Sequence, residues 1–233
     1  GLNESELDLI LANPGGLVIT GIASHFANAD VADHDENLKQ LRVFNSKTNN
    51  LSIAKSMANS GAVLGLKSSH YDWVRPGIML YGGSTSGEQD STLKPAMTLT
   101  APIIAIRSLA TGESIGYGST WTTEIATRIA VVGIGYADGY PRELPARTPV
   151  LINGKRCEIV GRVSMDMIMV EVPLDLQVKS GDRAILWGDK LFIDDVASHI
   201  GTLGYTLMSG LSSRVERIAS PMTPAELVAG VAW

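Results

Sequence analysis

Two rhythms of apolar residues divide the chain. Up to about residue 85, short apolar runs alternate with helix-like segments. Residues 1–13 predict a helix: Asn3 is placed to cap it, Glu6 completes a capping box, and Leu2 and Leu7 have the spacing of a hydrophobic staple. The run NPGG at 13–16 ends it. Residues 17–24, LVITGIAS, form a continuous, mostly apolar run, as expected of a strand covered on both faces. Residues 35–47 set Leu38, Leu41 and Phe44 on one face of a helix, with Lys39 on its exposed side. Residues 51–61 read as a second strand ending in polar and glycine residues, and 71–83 as a third strand end leading into a helix start. Strands alternating with helices, with polar residues gathered at strand C-terminal ends, are the pattern of parallel α/β sheets and barrels. Only about three such units fit before residue 85, fewer than a closed eight-stranded barrel needs.

The rhythm then changes. Residues 82–95 are small and polar, the composition of a linker or surface loop. Beyond them Val- and Ile-rich, strand-like stretches follow one another, and Asn153-Gly154 is a strong two-residue hairpin signal. Residues 192–211 predict one or two helices, and SSRVERI at 212–218 a closing strand. Thr223, Pro224 and Glu226 carry helix-start signals in the tail. The expected organisation is an α/β part at 1–88, a mainly β domain at 89–220 and a tail at 221–233, with no internal repeat.

Composition narrows the function classes. The chain is 45% hydrophobic and 18% charged, as in soluble globular proteins. A net charge of −5 with no basic cluster argues against a nucleic-acid surface. No apolar run has the length of a membrane span. The single cysteine, Cys157, precludes an internal disulfide and suits a reducing, cytoplasmic setting. The sequence opens GLNESELDLI, without a methionine, and its first residues read as the middle of a fold.

Candidate chemistry is sparse residue by residue. His25, at the end of an apolar run, is by itself more often a hydrogen-bonded structural histidine than a catalyst. Arg75 before Pro76-Gly77 could be a surface arginine at a turn, and ANSG at 58–61 a plain helix cap. Tyr117, between Gly116 and Gly118, is equally readable as a turn residue or as a group held out for chemistry. Ser60 and Gly61 offer a hydroxyl and an amide at one expected helix start, and Gly77 and Ile78 two amides at another. Unpaired N–H groups of this kind collect anions. With no Walker or GxGxxG pattern, the phosphate of a cofactor smaller than a nucleotide fits better. His25, His34, His70 and His199 lack metal-ligand spacing, and no G-x-S-x-G elbow is present.

Taken together, GIASHFANAD, MANSG, HYDWVRPGIMLYGGS, GESIGYGSTW, VVGIGYADGYPR, PVLINGKRCEIVGRVSMDM, GDRAILWG and GYTLMSGLSSRV come in the order and at the intervals of one family. Over residues 1 to about 218 the chain resembles the C-terminal two-thirds of the bacterial alanine racemases, which use pyridoxal 5′-phosphate. The resemblance implies a partial (α/β)₈ barrel of the TIM type followed by a mainly β domain. It implies a homodimer whose active sites are shared, acting on a small amino acid and supplying D-alanine for peptidoglycan.

By position, Tyr117 matches the family's tyrosine acid/base. His25 matches the histidine that contacts it, and Arg75 the arginine facing the pyridine nitrogen of the cofactor. Ser60, Gly77, Ile78 and Tyr205 match phosphate ligands. Met165 matches a backbone contact to substrate, and Tyr136 and Asp166 match residues lining the site and its mouth. Ser164 stands where some members have cysteine. Racemisation needs an acid/base group on each face of the substrate. Tyrosine ordinarily ionises near about pH 10, so cationic or hydrogen-bonding neighbours must assist it. A relay from Arg75 through His25 to Tyr117 would do so. An arginine keeps its proton and would leave the pyridine nitrogen unprotonated.

The opposite base in the family is a lysine in a KANAYG-like segment. None of Lys39, Lys47, Lys55, Lys67, Lys94, Lys155, Lys179 and Lys190 has that context, and the arginine expected for the substrate carboxylate has no match either. The chain by itself is therefore expected to be inactive. The alternatives are a broad-specificity amino-acid racemase, a related barrel decarboxylase, which the GYGSTW and VSMDM contexts disfavour, and a non-catalytic dimerising fragment.

Overall fold

The computed structural model describes residues 1–31 and 33–219; the predicted tail helix lies outside them. Helix α1 is Glu4–Ala12. The predicted capping box forms: the Asn3 carboxamide accepts from the Glu6 amide at 2.9 Å, and the Glu6 carboxylate accepts from the Asn3 amide at 2.8 Å. Helix α2 is Asp35–Thr48, and Lys47 near its end reaches Glu4 and Asp8 of α1. Leu41 and Phe44 are buried, whereas Leu38 is largely exposed, so the stripe that meets the interior is narrower than the periodicity suggests. His34 caps α2 by accepting from the Glu36 amide.

The strands of the first part are shorter than their apolar runs. Only Gly21–Ala23 forms strand β1, which pairs in parallel with β2, Ala54–Ser56. Leu17 and Val18 are 71% and 86% exposed, against the expectation of a strand covered on both faces. The reason is positional: among the described residues the other edge of β1 has no strand partner, so nothing extends or covers the run. The predicted third strand is reduced to one bridge, Ser56 with Trp73. Tyr71 next to it packs its ring on Phe44 of α2, centroids 5.2 Å apart, and donates its phenol to Asn45. Helix α3, Ser60–Gly65, follows β2 directly. A small core of Phe26, Ala29, Leu41, Phe44, Met57, Ala58 and Ala62 holds these pieces together.

The segment expected to be a linker is anchored at its start. Gly82 sits at φ +83°, and a Cβ there would come 2.3 Å from the Lys94 carbonyl. The Ser84 amide donates to Asp194 at 2.9 Å.

The second part is a closed barrel of six antiparallel strands: β3 (Leu99–Leu109), β6 (Thr127–Val132), β7 (Pro149–Ile152), β8 (Lys155–Val160), β9 (Ile168–Val172) and β10 (Arg183–Trp187). They run in the order β10-β3-β6-β9-β8-β7, and β7 pairs with β10 to close the ring. The short pair β4 (Ser114–Ile115) and β5 (Trp121–Thr122) stands outside it. Val132, Val150, Ile152, Ile168, Val170, Val172, Ala184 and Leu186 fill the core, alternating along their strands as side chains of period two must. The Asn153-Gly154 hairpin joins β7 to β8 with both residues at positive φ, as a type I′ turn requires. Helices α4 (Ile193–Ile200) and α5 (Gly204–Gly210) follow. Residues 212–218 do not form the expected closing strand. The ring is already sealed by β7 and β10, so no free edge is left for another strand. The chain is thus α/β in its first part and mainly β in its second, and the closed barrel is the antiparallel one.

Candidate functional site

The candidate residues fall into three groups. In the first, Arg75 gathers the C-terminal ends of β1 and β2. Its amide donates to the Ala58 carbonyl at 2.8 Å, and its guanidinium donates to the Ser24 carbonyl at 2.7 Å and to the Ser56 hydroxyl. The same Nη2 lies 3.3 Å from Nδ1 of His25. A guanidinium can only donate, so Nδ1 must be the bare acceptor nitrogen, and the ring proton sits on Nε2. Nε2 faces the Nδ2 amide of Asn59 at 3.3 Å. The Asn59 carbonyl is committed elsewhere, accepting from the Ala62 amide at 3.1 Å as the cap of α3. Two donors therefore face each other, and the Nε2 proton of this exposed histidine is left for an acceptor from another source. Asn59 was not singled out in the sequence; its only signal is the N-cap position before Ser60.

The second group is a cluster of neutral donors. Ser60, 2% exposed, accepts from the Gly77 amide at 2.7 Å. The phenol of Tyr205, brought in by α5, lies near Ser60, while partial burial raises its pKa. Gly61 lets α3 approach the chain after His25: a Cβ there would lie 2.3 Å from the Ala29 carbonyl. Ile78, buried, opens the short turn Ile78–Tyr81. Hydroxyls and backbone amides without a cation suit an anion held by directed hydrogen bonds rather than by net charge.

The third group belongs to the β domain. Tyr117 rides on the β4–β5 loop between Gly116 at φ +77° and Gly118 at φ +74°, backbone that other residues rarely adopt. It is 73% exposed. Among the described residues no hydrogen bond joins it to His25 or Arg75 within the chain. Tyr136 starts the turn Tyr136–Asp138, whose amides are tied to the loop before β9: Tyr136 donates to the Ser164 carbonyl and Ala137 to that of Met165. A Cβ on Gly135 would come 2.3 Å from both carbonyls. Two residues that sequence reasoning passes over complete this group. Asp138 accepts from the Gly135 amide at 2.8 Å, and Arg214 reaches both Asp138, at 3.2 Å, and Asp166, at 2.6 Å.

The candidate residues therefore gather in two places. One, on the N-terminal part with α5, combines His25, Arg75, Ser60, Gly77, Ile78 and Tyr205. The other, on the β domain, combines Tyr136, Met165 and Asp166, with Tyr117 exposed on its own loop.

Comparison with known proteins gives this arrangement a relationship. Residues 3–85 match the sequence model of the alanine racemase N-terminal domain, and residues 96–219 that of the alanine racemase C-terminal domain. The alanine racemase of Vesicomyosocius okutanii is 45% identical over 212 residues, 91% of this chain and 60% of the relative. That of Vibrio cholerae is 46% identical over 196 residues, 83% of this chain and 54% of the relative. The chain thus spans less than two-thirds of the length of these relatives. Among solved structures, the biosynthetic alanine racemase of Pseudomonas aeruginosa superposes with a TM-score of 0.88 at 42% identity, over 95% of this chain and 63% of that one. A structure of the Bartonella henselae alanine racemase with covalently bound pyridoxal phosphate gives a TM-score of 0.85 at 34% identity, over 94% and 62%. The matched domains, the level of identity and the shared fold agree that the chain belongs to the alanine racemase family.

Proposed function

We propose that the full-length protein carrying this chain interconverts L- and D-alanine with pyridoxal 5′-phosphate, as a cytoplasmic homodimer whose active sites are each built from both subunits. The N-terminal part, to about residue 88, is read as a piece of an (α/β)₈ barrel. The free edge of β1 and the exposed Leu17 and Val18 support this, being what a barrel strand would offer its neighbour. The observation that carries the functional reading is the pairing of two unsatisfied groups. Among the described residues His25 has an Nε2 proton with no acceptor, and Tyr117 has a phenol held in solvent on a loop of another domain.

In this reading Tyr117 of a second copy docks on His25. The Nε2–H donates to the phenol oxygen, stabilising its ionised form so that it can take or return the substrate's α-proton. Arg75 holds the imidazole in the tautomer that makes this possible. The neutral donors Ser60, Gly77, Ile78 and Tyr205 fit a phosphate ester, the Arg75 guanidinium fits an unprotonated pyridine nitrogen, and bound pyridoxal phosphate would acidify the Cα–H bond of the substrate. The Met165 amide and Tyr136 orient the amino acid, and Asp166 lines its approach. The acid/base on the opposite face is proposed to be a lysine in the part of the relatives that this chain does not span.

The test is racemisation by the full-length protein, read as D-alanine formation and as solvent deuterium entering Cα. Tyr117→Phe should lower kcat/KM by at least about 100-fold, the scale of a positioned acid/base, and leave the melting temperature unchanged because the side chain is exposed. Tyr117→Phe and Arg75→Ala subunits, each inactive alone, should regain activity when refolded together, since a mixed dimer has one intact shared site. An active Tyr117→Phe variant would overturn the assignment, and failure of the mixture to recover would overturn site sharing.

A further inference from the structure

The arrangement around Arg214 carries a second reading, resting on the function proposed above. Arg214 lies beyond α5, in a turn where its amide donates to the Ser212 hydroxyl and the Val215 amide to the Ser212 carbonyl. Its guanidinium is shared between two carboxylates from different segments, Nε toward Asp138 and Nη2 toward Asp166. Each aspartate adjoins a residue of the candidate site. Asp138 ends the turn that begins with Tyr136, and Asp166 follows Met165. The backbone interlocks the same three segments. Ser212 donates to the Asp138 carbonyl, and Gly139 packs so closely on the Gly210 carbonyl that a Cβ would lie 2.0 Å from it. Ala137 takes the Met165 carbonyl, while among the described residues the Met165 amide has no acceptor within the chain.

We infer that Arg214 is a positioning residue for the substrate-binding edge of the β domain. One planar fork holds the Tyr136 turn and the Met165 loop at a fixed separation, so that the Met165 amide and Tyr136 meet the same small carboxylate ligand. It also offsets two negative charges at the mouth through which an amino-acid carboxylate must pass. A lysine presents a point charge and cannot bridge the two carboxylates as a fork does. Arg214 and Asp166 are both about half exposed, so the charge part of the effect is screened by salt.

Two measurements on the full-length protein test this. The first is amide hydrogen exchange. Arg214→Met should speed exchange in residues 135–140 and 163–167 and leave β6, β8 and β9 unchanged; unaltered exchange in those two segments would overturn the inference whatever the activity. The second is kinetic. Arg214→Met should raise KM for alanine about five- to tenfold with kcat changed less than about threefold, the signature of lost uniform binding. The rise should shrink at high salt. Adding Asp166→Asn should recover part of it, and Arg214→Lys should fall between. An effect on kcat alone, or a KM rise indifferent to both salt and Asp166→Asn, would overturn the electrostatic role. If the unaltered protein forms no D-alanine, the functional reading falls, and the exchange measurement still decides whether Arg214 positions these segments.

Discussion

Cys157 shows what a single buried group does to the pH response. Its thiol is 3% exposed on β8, with a long contact to the Lys155 carbonyl. Burial pushes its pKa up to about 11; Lys155 pulls the other way and Glu158 adds to the rise. In the unfolded chain a cysteine ionises near about pH 8.5. The raised folded value means that the stabilising preference for the neutral thiol is fully present below about 8.5 and is lost as pH rises through about 11. Melting temperature should therefore fall more steeply across that window in the natural protein than in Cys157→Ala. Parallel curves would show that the thiol does not couple to folding. Exposure sets another side chain apart from it: Cys157 is sealed in, whereas Tyr117 is held out by two glycines of left-handed backbone.

Among the elements, α3 bears most directly on the proposed cofactor site. Its cap Asn59 faces His25, its first residue Ser60 accepts from Gly77 and lies near Tyr205, and its second, Gly61, lies against the Ala29 backbone. Gly61→Ala should force α3 away from that segment, costing about 1–3 kcal/mol as overpacking does, and should weaken pyridoxal phosphate binding in an absorbance titration. An unshifted melting curve with unchanged affinity would remove α3 from the role given to it. The elements that were legible in the sequence are those fixed by neighbours in the chain, such as the Asn3–Glu6 capping box and the Asn153-Gly154 turn. Residues 17–24 misled because an apolar run records what should cover a strand, not whether a partner pairs with it. Residues 212–218 misled because nothing local reveals that the barrel is already closed. The family was legible through its motifs, whose residue types and order point to it, and the candidate site rests on that match. The bridge from Arg214 to Asp138 and Asp166 was not, because it joins segments far apart in the chain.

For the molecule as a whole, the question is what joins its two parts. Asp194, 2% exposed at the start of α4, accepts from the buried Ser84 amide, and burial raises its pKa while that hydrogen bond opposes the rise. Asp194→Ala should leave the Ser84 N–H unsatisfied at a cost of about 1–3 kcal/mol. Limited proteolysis should then cut faster within 85–95 and release an intact barrel fragment. Unchanged cleavage would show that the join does not depend on this bond.

The strand order of the barrel also fixes a timetable. β3 finds one of its partners only in β10, with Leu99 against Trp187, so the ring cannot close until nearly all of the second part has been made. Tyr205 comes later still, and Ser60, synthesised far earlier, waits for it. A chain emerging from the ribosome would therefore assemble His25 and Arg75 first and complete the proposed anion pocket only after the barrel strands. Tight capture of a cofactor would then report that synthesis of both parts is essentially finished.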